Sequence, residues 1–282
     1  MWPKRISILG VGLLGGSIGL AARKFLSACE IVGYGHRPAT LQAALARGAV
    51  DTVESNAAAA VAGADLVILC TPVGLFDRII QEISPVLSAT AVVTDVGSTK
   101  RSVVELAGKH LEHPERFVGS HPMAGGEVRG VEFARADLFQ EAVCITTPIA
   151  QTDTQVLAKV EQFWGKLGLR LTRLSPQDHD RLIGEISHVP HAVAAALVAM
   201  QDDAALPLCG KGFLDATRIA AGDGGLWRDI FMDNQDNLRV GIGRLMGELS
   251  QLLARMENGD AEKVMAWLDA AAARRAALVK SK

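Results

Sequence analysis

The segment from Gly119 to Glu127 places a single histidine among small residues. It reads Gly-Ser-His-Pro-Met-Ala-Gly-Gly-Glu, so His121 precedes a proline and lies six positions before a carboxylate. The strand-like pair Phe117-Val118 comes just before it, and we expect His121 where a strand opens into a loop. An imidazole held there can act as a general base near neutral pH. The alternative is a buried structural histidine in a glycine-rich turn, and this segment alone leaves both open.

Three more histidines, His179, His188 and His191, lie close together in the second half of the chain. His188 and His191 are three positions apart and share one side of a predicted helix. Pro190 lies between them, where it removes a backbone hydrogen bond and is expected to kink the helix. Metal binding by these histidines is a rival interpretation, but the sequence lacks a zinc-type motif, so no metal is predicted.

Arg218 is the candidate for holding an anionic substrate. A guanidinium can bind a carboxylate through two parallel hydrogen bonds. Trp227 follows in the next polar and aromatic segment. The alternative for Arg218 is a structural ion pair with Asp215 or Asp229.

The segment Gly10–Gly15 has the spacing of a dinucleotide-binding turn. It reads Gly-Val-Gly-Leu-Leu-Gly, follows a predicted strand directly and opens a predicted helix. The three glycines permit a tight turn, a close approach of the backbone to a pyrophosphate, and close packing of helix on strand. The helix N-terminus also favours negative charge. The residues assigned to the cofactor here are Gly10, Gly12, Leu13, Leu14 and Gly15.

The end of the second strand indicates which dinucleotide is preferred. NAD-binding proteins usually carry Asp or Glu about 20 residues after this turn, where it binds the ribose hydroxyl. Gly35 stands 20 positions after Gly15, and His36 and Arg37 follow it. No carboxylate is there to repel a 2′-phosphate and two donor groups are, so the sequence favours NADP, with NAD as the alternative. Arg37 could equally be a solvated turn residue.

Two further strand ends carry polar residues. Cys70-Thr71-Pro72 stands at the end of the strand-like run Leu66–Cys70 and is assigned to the cofactor, because ligands bind at the carboxyl ends of strands in open α/β sheets. Asp95–Lys100 stands at the end of the run Ala91–Asp95. Within it, Ser98 could reach a substrate hydroxyl or could be the N-cap of a helix over Thr99–His110. Lys100 is interpreted as a cofactor-binding or helix-surface residue rather than a catalytic one.

Short apolar runs typical of buried strands alternate with helical patterns through the first 174 residues. The strand-like runs are Arg5–Leu9, Ile31–Tyr34, Leu66–Cys70, Ala91–Asp95, Ala142–Thr146 and Arg170–Leu174. The helical segments are Leu14–Leu26, Pro38–Arg47, Phe76–Ile83, Thr99–His110 and Thr154–Leu167. This alternation predicts an α/β fold, a Rossmann-like parallel sheet with helices on both faces, over residues 1–174.

From residue 175 onward the pattern is helical. Ser175-Pro176 has the chemistry of a helix start, and the helix it opens is predicted to reach about Met200. Further helices run through Leu253, a break falls at Asn258-Gly259, and a last helix follows. We therefore predict an all-α domain over 175–282 that binds substrate and forms a homodimer. Its apolar stripe, which suits a second copy of the chain or an intramolecular core, is Leu238, Ile242, Leu245, Leu249 and Leu252.

The overall composition limits the class of protein. The formal net charge is −2, which gives no electrostatic case for nucleic acid or an acidic membrane surface. No apolar run reaches the roughly 18 residues of a membrane span, and the start lacks the apolar core of a signal peptide. The four cysteines are scattered, which argues against a disulfide framework. We expect a cytoplasmic protein.

Together these motifs resemble those of the prephenate/arogenate (cyclohexadienyl) dehydrogenase family of tyrosine biosynthesis. The resemblance extends over nearly the whole chain. Its carriers are the Gly10–Gly15 turn, Asp95–Lys100, Gly119–Gly125, His179-Asp180, Ser187–His191 and Gly212–Arg218.

The resemblance implies a role for each site residue. His121 would bond the C4 hydroxyl of a cyclohexadiene ring and take its proton as hydride leaves C4 for the nicotinamide. Ser98 would bond the same hydroxyl, and Arg218 would clamp a carboxylate. The other residues assigned to the substrate are His191, which would help hold it, Glu127, which would shape the pocket, and His179, Asp215 and Trp227.

The resemblance leaves the substrate open. Arogenate-specific members often lack a histidine at the position of His191, which favours prephenate, whereas the NADP-like Gly35–Arg37 favours arogenate. A broad-specificity enzyme would reconcile the two. A β-hydroxyacid-type dehydrogenase is a second alternative, but Lys211 does not fit the helical lysine motif that those enzymes use. A non-catalytic NADP-sensing module is the third.

Overall fold

The computed structural model describes residues 2–26, 29–126 and 128–280. Two compact units are present, Met1–Asn234 and Gln235–Lys282. The first holds a sheet, the helices around it and the helices that follow in sequence up to Asn234. The second is a pair of helices. The domain boundary near residue 175 stays a prediction.

One sheet of eight strands organises the first unit. The strands are β1 (Arg5–Leu9), β2 (Glu30–Tyr34), β3 (Thr52–Glu54), β4 (Leu66–Leu69), β5 (Val92–Asp95), β6 (Phe117–Pro122), β7 (Val143–Thr147) and β8 (Arg170–Arg173). Their order is β3-β2-β1-β4-β5-β6-β7-β8. Among the described strands, neighbours pair in parallel except β6 and β7, which pair antiparallel. The predicted Rossmann-like fold is confirmed, with one reversal of strand direction that the sequence pattern did not indicate.

Helices cover the sheet and continue beyond it. Those of the first unit are α1 (Leu13–Phe25), α2 (Pro38–Ala46), α3 (Ala57–Val61), α4 (Phe76–Ile83), α5 (Arg101–His110), α6 (Thr154–Lys166), α7 (Pro176–Ile183), α8 (Val189–Ala199), α9 (Lys211–Thr217) and α10 (Gly224–Asp233). Those of the second unit are α11 (Gln235–Glu257) and α12 (Ala261–Lys280). Within the described residues after Leu174 the chain is helical, as predicted.

Two apolar clusters lie on opposite faces of the sheet. Leu66 and Ile68 belong to one cluster and Val67 and Leu69 to the other, because successive side chains of a strand point to opposite faces. All four are fully buried. Burial on both faces explains why the strands read as continuous apolar runs.

Two of the boundaries that differ from the sequence prediction affect the site. β6 runs through Pro122, so His121 lies on the strand itself and not in the loop after it. α5 begins at Arg101, with Lys100 in the N-cap position, so the alternative that Ser98 caps this helix is wrong. The predicted start at Ser175 is confirmed, since its side chain accepts a hydrogen bond from the amide of Asp178.

The interruption predicted at Pro190 takes the form of a π-helical turn. The turn spans Gly184–His188, between α7 and α8, and the amide of Val189 donates to the carbonyl of Gly184 five positions back. Such turns are frequent at functional sites, and they can kink a helix without ending it. The helix here therefore continues past Pro190.

The helix from Pro176 to Ala199 is long and apolar enough, by length and composition alone, to cross a membrane. In its most apolar window, 28% of the residues are buried inside the chain. Its three histidines are buried in the first unit, as part of the site described below. A helix that carries such buried polar groups is weak evidence for a membrane span, and the absence of a membrane partner stays a prediction.

The second unit is a helical hairpin. α11 and α12 are joined at Gly259, whose positive φ of 69° favours glycine and ends α11 where the sequence predicted a break. Trp267 donates from its indole nitrogen to Glu248 over 3.2 Å. Large apolar side chains are exposed on both helices of the single chain, among them Val240, Met246, Leu253, Met265 and Leu268.

Candidate active site

His121 lies near the end of a wholly buried strand. All six residues of β6 are buried, and His121 itself is 8% exposed. Hydrogen bonds of the neighbouring Ser120 hold the strand in place. Its hydroxyl accepts from the indole nitrogen of Trp164 over 3.1 Å and is hydrogen-bonded to the hydroxyl of Thr94 over 2.8 Å. The imidazole is therefore carried by a rigid element of the sheet, which suits a group that must be held in one orientation.

A chain of hydrogen bonds connects His121 to a carboxylate. Nδ1 of His121 is 2.9 Å from Nε2 of His179, and Nδ1 of His179 is 2.8 Å from Oδ1 of Asp180. An ionised carboxylate only accepts, so His179 donates from Nδ1 and accepts at Nε2. His121 then donates from Nδ1, which leaves its Nε2 with a lone pair. This is the tautomer that a general base requires.

The surroundings keep this base neutral. Burial holds the pKa of His121 well below its usual range, and His179, Lys100 and His188 lower it further. The pKa of His179 is also lowered, chiefly by burial, against the opposing effect of Asp180. An imidazole with a low pKa is unprotonated at neutral pH and able to accept a proton.

His188 lies at the same site. Its ring is fully buried, and its Nδ1 is 3.1 Å from the side-chain nitrogen of Asn234. Asn234 also donates to the backbone carbonyl of Asp180 over 2.7 Å, which identifies that atom as its amide nitrogen and makes Nδ1 of His188 the acceptor. Burial lowers the pKa of His188 to about 4, with smaller contributions from His179 and His191 and an opposing one from Asp180.

His191 forms an aromatic wall with Trp227. The two rings stack with centroids 3.5 Å apart and 14° between their planes, and Phe231 meets both edge-on. A methyl group on Gly222 would overlap the Trp227 indole and come within 2.9 Å of the His191 ring, so glycine is required for this close packing. Nδ1 of His191 and Nε2 of His188 are buried without a partner among the described residues. Two buried ring nitrogens of this kind are available to hydrogen-bond water or a polar ligand.

Lys100 is buried, and the helix-surface interpretation is wrong. Its side chain is fully buried and its Nζ forms an ion pair with Oδ2 of Asp95. Asp95 also accepts from the amides of Gly97 and Ser120, at 2.7 and 2.9 Å. This carboxylate thus ties the end of β5 to β6, and it compensates the lysine charge beneath the site. The assignment of Lys100 to the cofactor stays a prediction.

The glycine-rich turn is shaped to admit a phosphate group. Gly10 has a φ of +113°, and a Cβ there would lie 2.7 Å from the backbone of Cys70. A Cβ on Gly15 would overlap the carbonyl of Gly10, whereas Gly12 faces open space. Leu13 and Leu14 form the first turn of α1, which has no side-chain cap. The arrangement fits a dinucleotide pyrophosphate: two glycines close the turn and the third leaves room beside the helix N-terminus.

The neighbouring strand ends lie where the sequence placed them. Thr71, after β4, has a buried hydroxyl without a partner among the described residues, and Pro72 is exposed beside it. His36 and Arg37 follow β2 and are exposed, and Arg37 occupies the N-cap position of α2 without a side-chain cap bond. Donor groups at this edge are therefore accessible to a ligand.

The remaining predicted substrate residues are spread over several elements. Arg218 is exposed and begins a 3-10 turn between α9 and Gly222. Asp215 pairs with Lys211 over 2.7 Å, and both side chains are mostly exposed. Ser98 is half-buried just before α5. Glu127 lies outside the described residues, and its assignment stays a prediction.

The sequence analysis did not identify the residues that hold other site residues in place, namely Asp180, Asp95 and Asn234. Asp180 was noted only as part of a family motif, and Asp95 and Asn234 received no role. A carboxylate directly after His179 was the available signal for Asp180; the contacts of Asp95 and Asn234 arise from long-range packing. Among the described residues, no group of three or more His, Cys, Asp or Glu side chains is arranged to hold a metal ion.

Comparison with known proteins identifies relatives along nearly the whole chain. Residues 18–173 match the prephenate dehydrogenase nucleotide-binding domain, and residues 175–270 match the prephenate dehydrogenase dimerization domain. The chain is 34% identical to prephenate dehydrogenase of Bacillus subtilis over 273 residues, which cover 94% of this chain and 74% of that protein. It is 30% identical to cyclohexadienyl dehydrogenase of Zymomonas mobilis over 269 residues, 93% and 92% of the two chains.

A solved structure has the same fold. It is prephenate dehydrogenase from A. aeolicus in complex with hydroxyphenyl propionate and NAD+, which matches with a TM-score of 0.92 at 33% identity and with 98% of each chain covered. A Rossmann-like sheet with a phosphate-admitting turn after β1 and a buried neutral imidazole on β6, three strands away, defines a nucleotide-binding dehydrogenase. Within that class, the chain belongs to the prephenate dehydrogenase family. The resemblance seen in its motifs is confirmed.

Proposed function

We propose that this protein catalyses the oxidative decarboxylation of prephenate to 4-hydroxyphenylpyruvate in tyrosine biosynthesis. The observation that carries the proposal is the series of hydrogen bonds that joins Asp180 to His179 and His179 to His121. These hydrogen bonds leave Nε2 of His121 as a proton acceptor. The relatives named for prephenate and cyclohexadienyl substrates support it.

The residues of this chain supply binding and one proton transfer. A nicotinamide dinucleotide held at the Gly10–Gly15 turn would supply the acceptor for the hydride that leaves C4 of the ring. His121 takes the proton of the C4 hydroxyl at Nε2, and the positive charge that forms is shared with His179 and balanced by Asp180. Ser98 donates to the same hydroxyl oxygen. Loss of carbon dioxide completes an aromatic ring, so the reaction is strongly downhill.

The substrate side of the site is formed by the helical residues. Arg218 binds a substrate carboxylate through its guanidinium. His191, whose Nδ1 has no partner among the described residues, and Trp227 form the wall against which a flat ring packs. Glu127, His179 and Asp215 remain assigned to this side by the family resemblance.

NADP is the proposed cofactor, with NAD as the alternative. The exposed His36 and Arg37 at the end of β2 are donors in the position where an NAD enzyme carries a carboxylate. The A. aeolicus relative contains NAD+, which favours the alternative. The two cofactors therefore have to be compared directly.

Arogenate is the second candidate substrate. The Zymomonas relative is a cyclohexadienyl dehydrogenase, and His36 and Arg37 point to NADP, which often accompanies arogenate in this family. We therefore include a broad-specificity enzyme as the alternative. The buried, stacked position of His191 favours prephenate as the better substrate.

The protein is proposed to be a cytoplasmic homodimer. The match to a dimerization domain over 175–270 and the exposed apolar side chains of α11 and α12 support the dimer. No nucleic-acid partner is proposed, since the formal net charge is −2.

A spectrophotometric assay tests the proposal. Prephenate and L-arogenate are each supplied with NAD and with NADP, and reduction of the nicotinamide is followed. Turnover of prephenate is expected, and no turnover with either substrate would refute the function. In the same assay, His121→Asn should lower kcat by roughly 10²–10⁴-fold while cofactor binding is retained. Near wild-type activity in that variant would make His121 structural.

A further inference from the structure

We propose that Asp180 is a positioning residue that sets the tautomer of His121 through His179 and fixes the base relative to α5. The inference rests on the proposed function for the role of His121 as a base. One buried carboxylate would thus have two roles: it orients the histidine pair, and it binds the first amides of α5.

The carboxylate of Asp180 is surrounded by N–H donors. Oδ1 accepts from the amide of Lys100 over 2.7 Å and from Nδ1 of His179 over 2.8 Å. Oδ2 accepts from the amide and the Nε of Arg101, at 3.0 and 3.3 Å. The side chain is 1% exposed. Both oxygens of Asp180 must therefore accept hydrogen bonds. The ionised carboxylate can do this, whereas a protonated carboxyl group would present an O–H donor to one of these N–H groups.

The ionised state of Asp180 is maintained by those donors. Burial raises the pKa of Asp180, but hydrogen bonds from His179 and from the amides of Arg101 and Lys100 lower it to a net value below its usual range. The acceptor character of the carboxylate therefore persists at neutral pH. Because Asp180 only accepts, His179 donates to it from Nδ1 and accepts from His121 at Nε2. His121 therefore donates from Nδ1, and its Nε2 carries no proton.

The second task is at the N-terminus of α5. The helix has no cap from its own N-cap side chain, and the amides of Lys100 and Arg101 are bound by Asp180 instead. Ser98 lies two positions before Lys100. The hydroxyl and the imidazole proposed to meet the same substrate oxygen are thus both anchored to one carboxylate.

Other charges at the site do not supply this directional constraint. Lys100 is paired with Asp95, and both act on His179 electrostatically, as Lys100 and His188 do on His121. These charges change the affinity of the imidazoles for a proton but do not select which nitrogen carries it. Selection requires the direct contact made by Asp180.

Asp180→Asn tests the inference. An amide nitrogen in place of Oδ2 would face two donors of Arg101, whereas in place of Oδ1 it would face the Lys100 amide and His179. His179 can adapt by changing tautomer, so the second orientation is favoured. His121 then carries its proton on Nε2, and kcat should fall by roughly 10³–10⁴-fold. Asp178→Asn is the matched control, because Asp178 is half-exposed and paired with Arg181; its kcat should equal that of the wild type.

Nitrogen-15 NMR of histidine-labelled full-length protein gives a readout that does not depend on turnover. With signals assigned by comparison with His121→Asn, the wild type should show His121 protonated at Nδ1 and bare at Nε2, and Asp180→Asn should reverse this. A wild-type spectrum with the proton on Nε2 would overturn the inference. So would a folded Asp180→Asn protein with wild-type kcat.

A second variant covers failure of Asp180→Asn to fold. His179→Leu removes the acceptor for His121 and leaves Asp180 to cap α5. Its kcat should fall by at least about 10²-fold, and an unchanged kcat would overturn the inference. A wild-type protein that turns over neither substrate would refute the proposed function, while the tautomer measurement would still decide the role of Asp180.

Discussion

The buried His188 should make the protein sensitive to mild acid. Its pKa is about 4 in the folded chain and 6.5 as the ordinary value expected after unfolding. Between these two pH values the unfolded chain binds a proton that the folded chain does not. The contribution of His188 to stability is therefore complete above pH 6.5 and is lost as the pH falls from 6.5 towards 4.

The size of the effect follows from the shift in pKa. Each pKa unit corresponds to about 1.4 kcal/mol, so a shift from 6.5 to about 4 amounts to ~3 kcal/mol at full protonation. This is a large part of the 5–15 kcal/mol that typically holds a folded protein together. Lowered pKa values of His121 and His179 act in the same direction.

Urea unfolding at pH 7.0, 5.5 and 4.5 measures this contribution. His188→Gln removes the titrating group, so the loss in unfolding free energy between pH 7.0 and 4.5 should be smaller than in the wild type by ~2 kcal/mol. His113→Gln is the control, because His113 is 48% exposed and bonded only to Glu115 in the hydrogen bonds described for its ring. An equal loss in wild type and His188→Gln would refute the assignment of acid sensitivity to this histidine.

Three further predictions concern ligand binding. Gly12→Ala should leave the thermal midpoint unchanged, since its Cβ would meet no described residue within 4 Å, but should raise the Kd for NADP in a fluorescence titration by at least about tenfold. Gly10→Ala, in contrast, should lower the midpoint, because its Cβ would overlap the backbone of Cys70. Unchanged NADP binding by Gly12→Ala would exclude this turn from the cofactor site. Arg37→Gln should raise the KM for NADP by roughly 10-fold without affecting NAD in steady-state assays, and equal effects on both would exclude recognition of a 2′-phosphate. Arg218→Ala should raise the KM for prephenate by roughly 10–100-fold, and an unchanged KM would remove Arg218 from the clamp role.

Most strands and helices could be predicted from the sequence because their signals are local, but the short strand Thr52–Glu54 was not among the predictions. Leu66–Leu69 is an apolar run buried on both faces, and Ser175-Pro176 carries its capping chemistry within four residues. The antiparallel pairing of β6 with β7 was not predictable in this way. Strand direction depends on where the chain returns to the sheet, and no residue within either strand encodes it.

The site was predicted where one residue type carries the chemistry. His121 could be predicted as a candidate base because its imidazole stands among small residues. The glycines of the turn could be predicted because their fixed spacing suits the binding of a pyrophosphate. The partners of His121 could not be ranked in the same way. Lys100 looked like a surface cation and is a buried one, because Asp95 neutralises it from a strand end five positions earlier.

The π-helical turn at Gly184–His188 alters the angular phase of the helix that carries the histidines. In an uninterrupted α-helix each residue advances about 100°, so His188, nine positions after His179, would point about 180° away from it. The extra residue of the turn reduces that difference to about 80°, and reduces the angle between His179 and His191 from about 120° to about 20°. Deleting the exposed Ile186 would remove the extra residue, restore the regular helix and keep this phase, whereas an α-helical turn that retained all its residues would turn His188 and His191 away from His179. The π-helical conformation of this turn therefore brings to one side three histidines whose spacings of nine and twelve positions a regular α-helix would place apart.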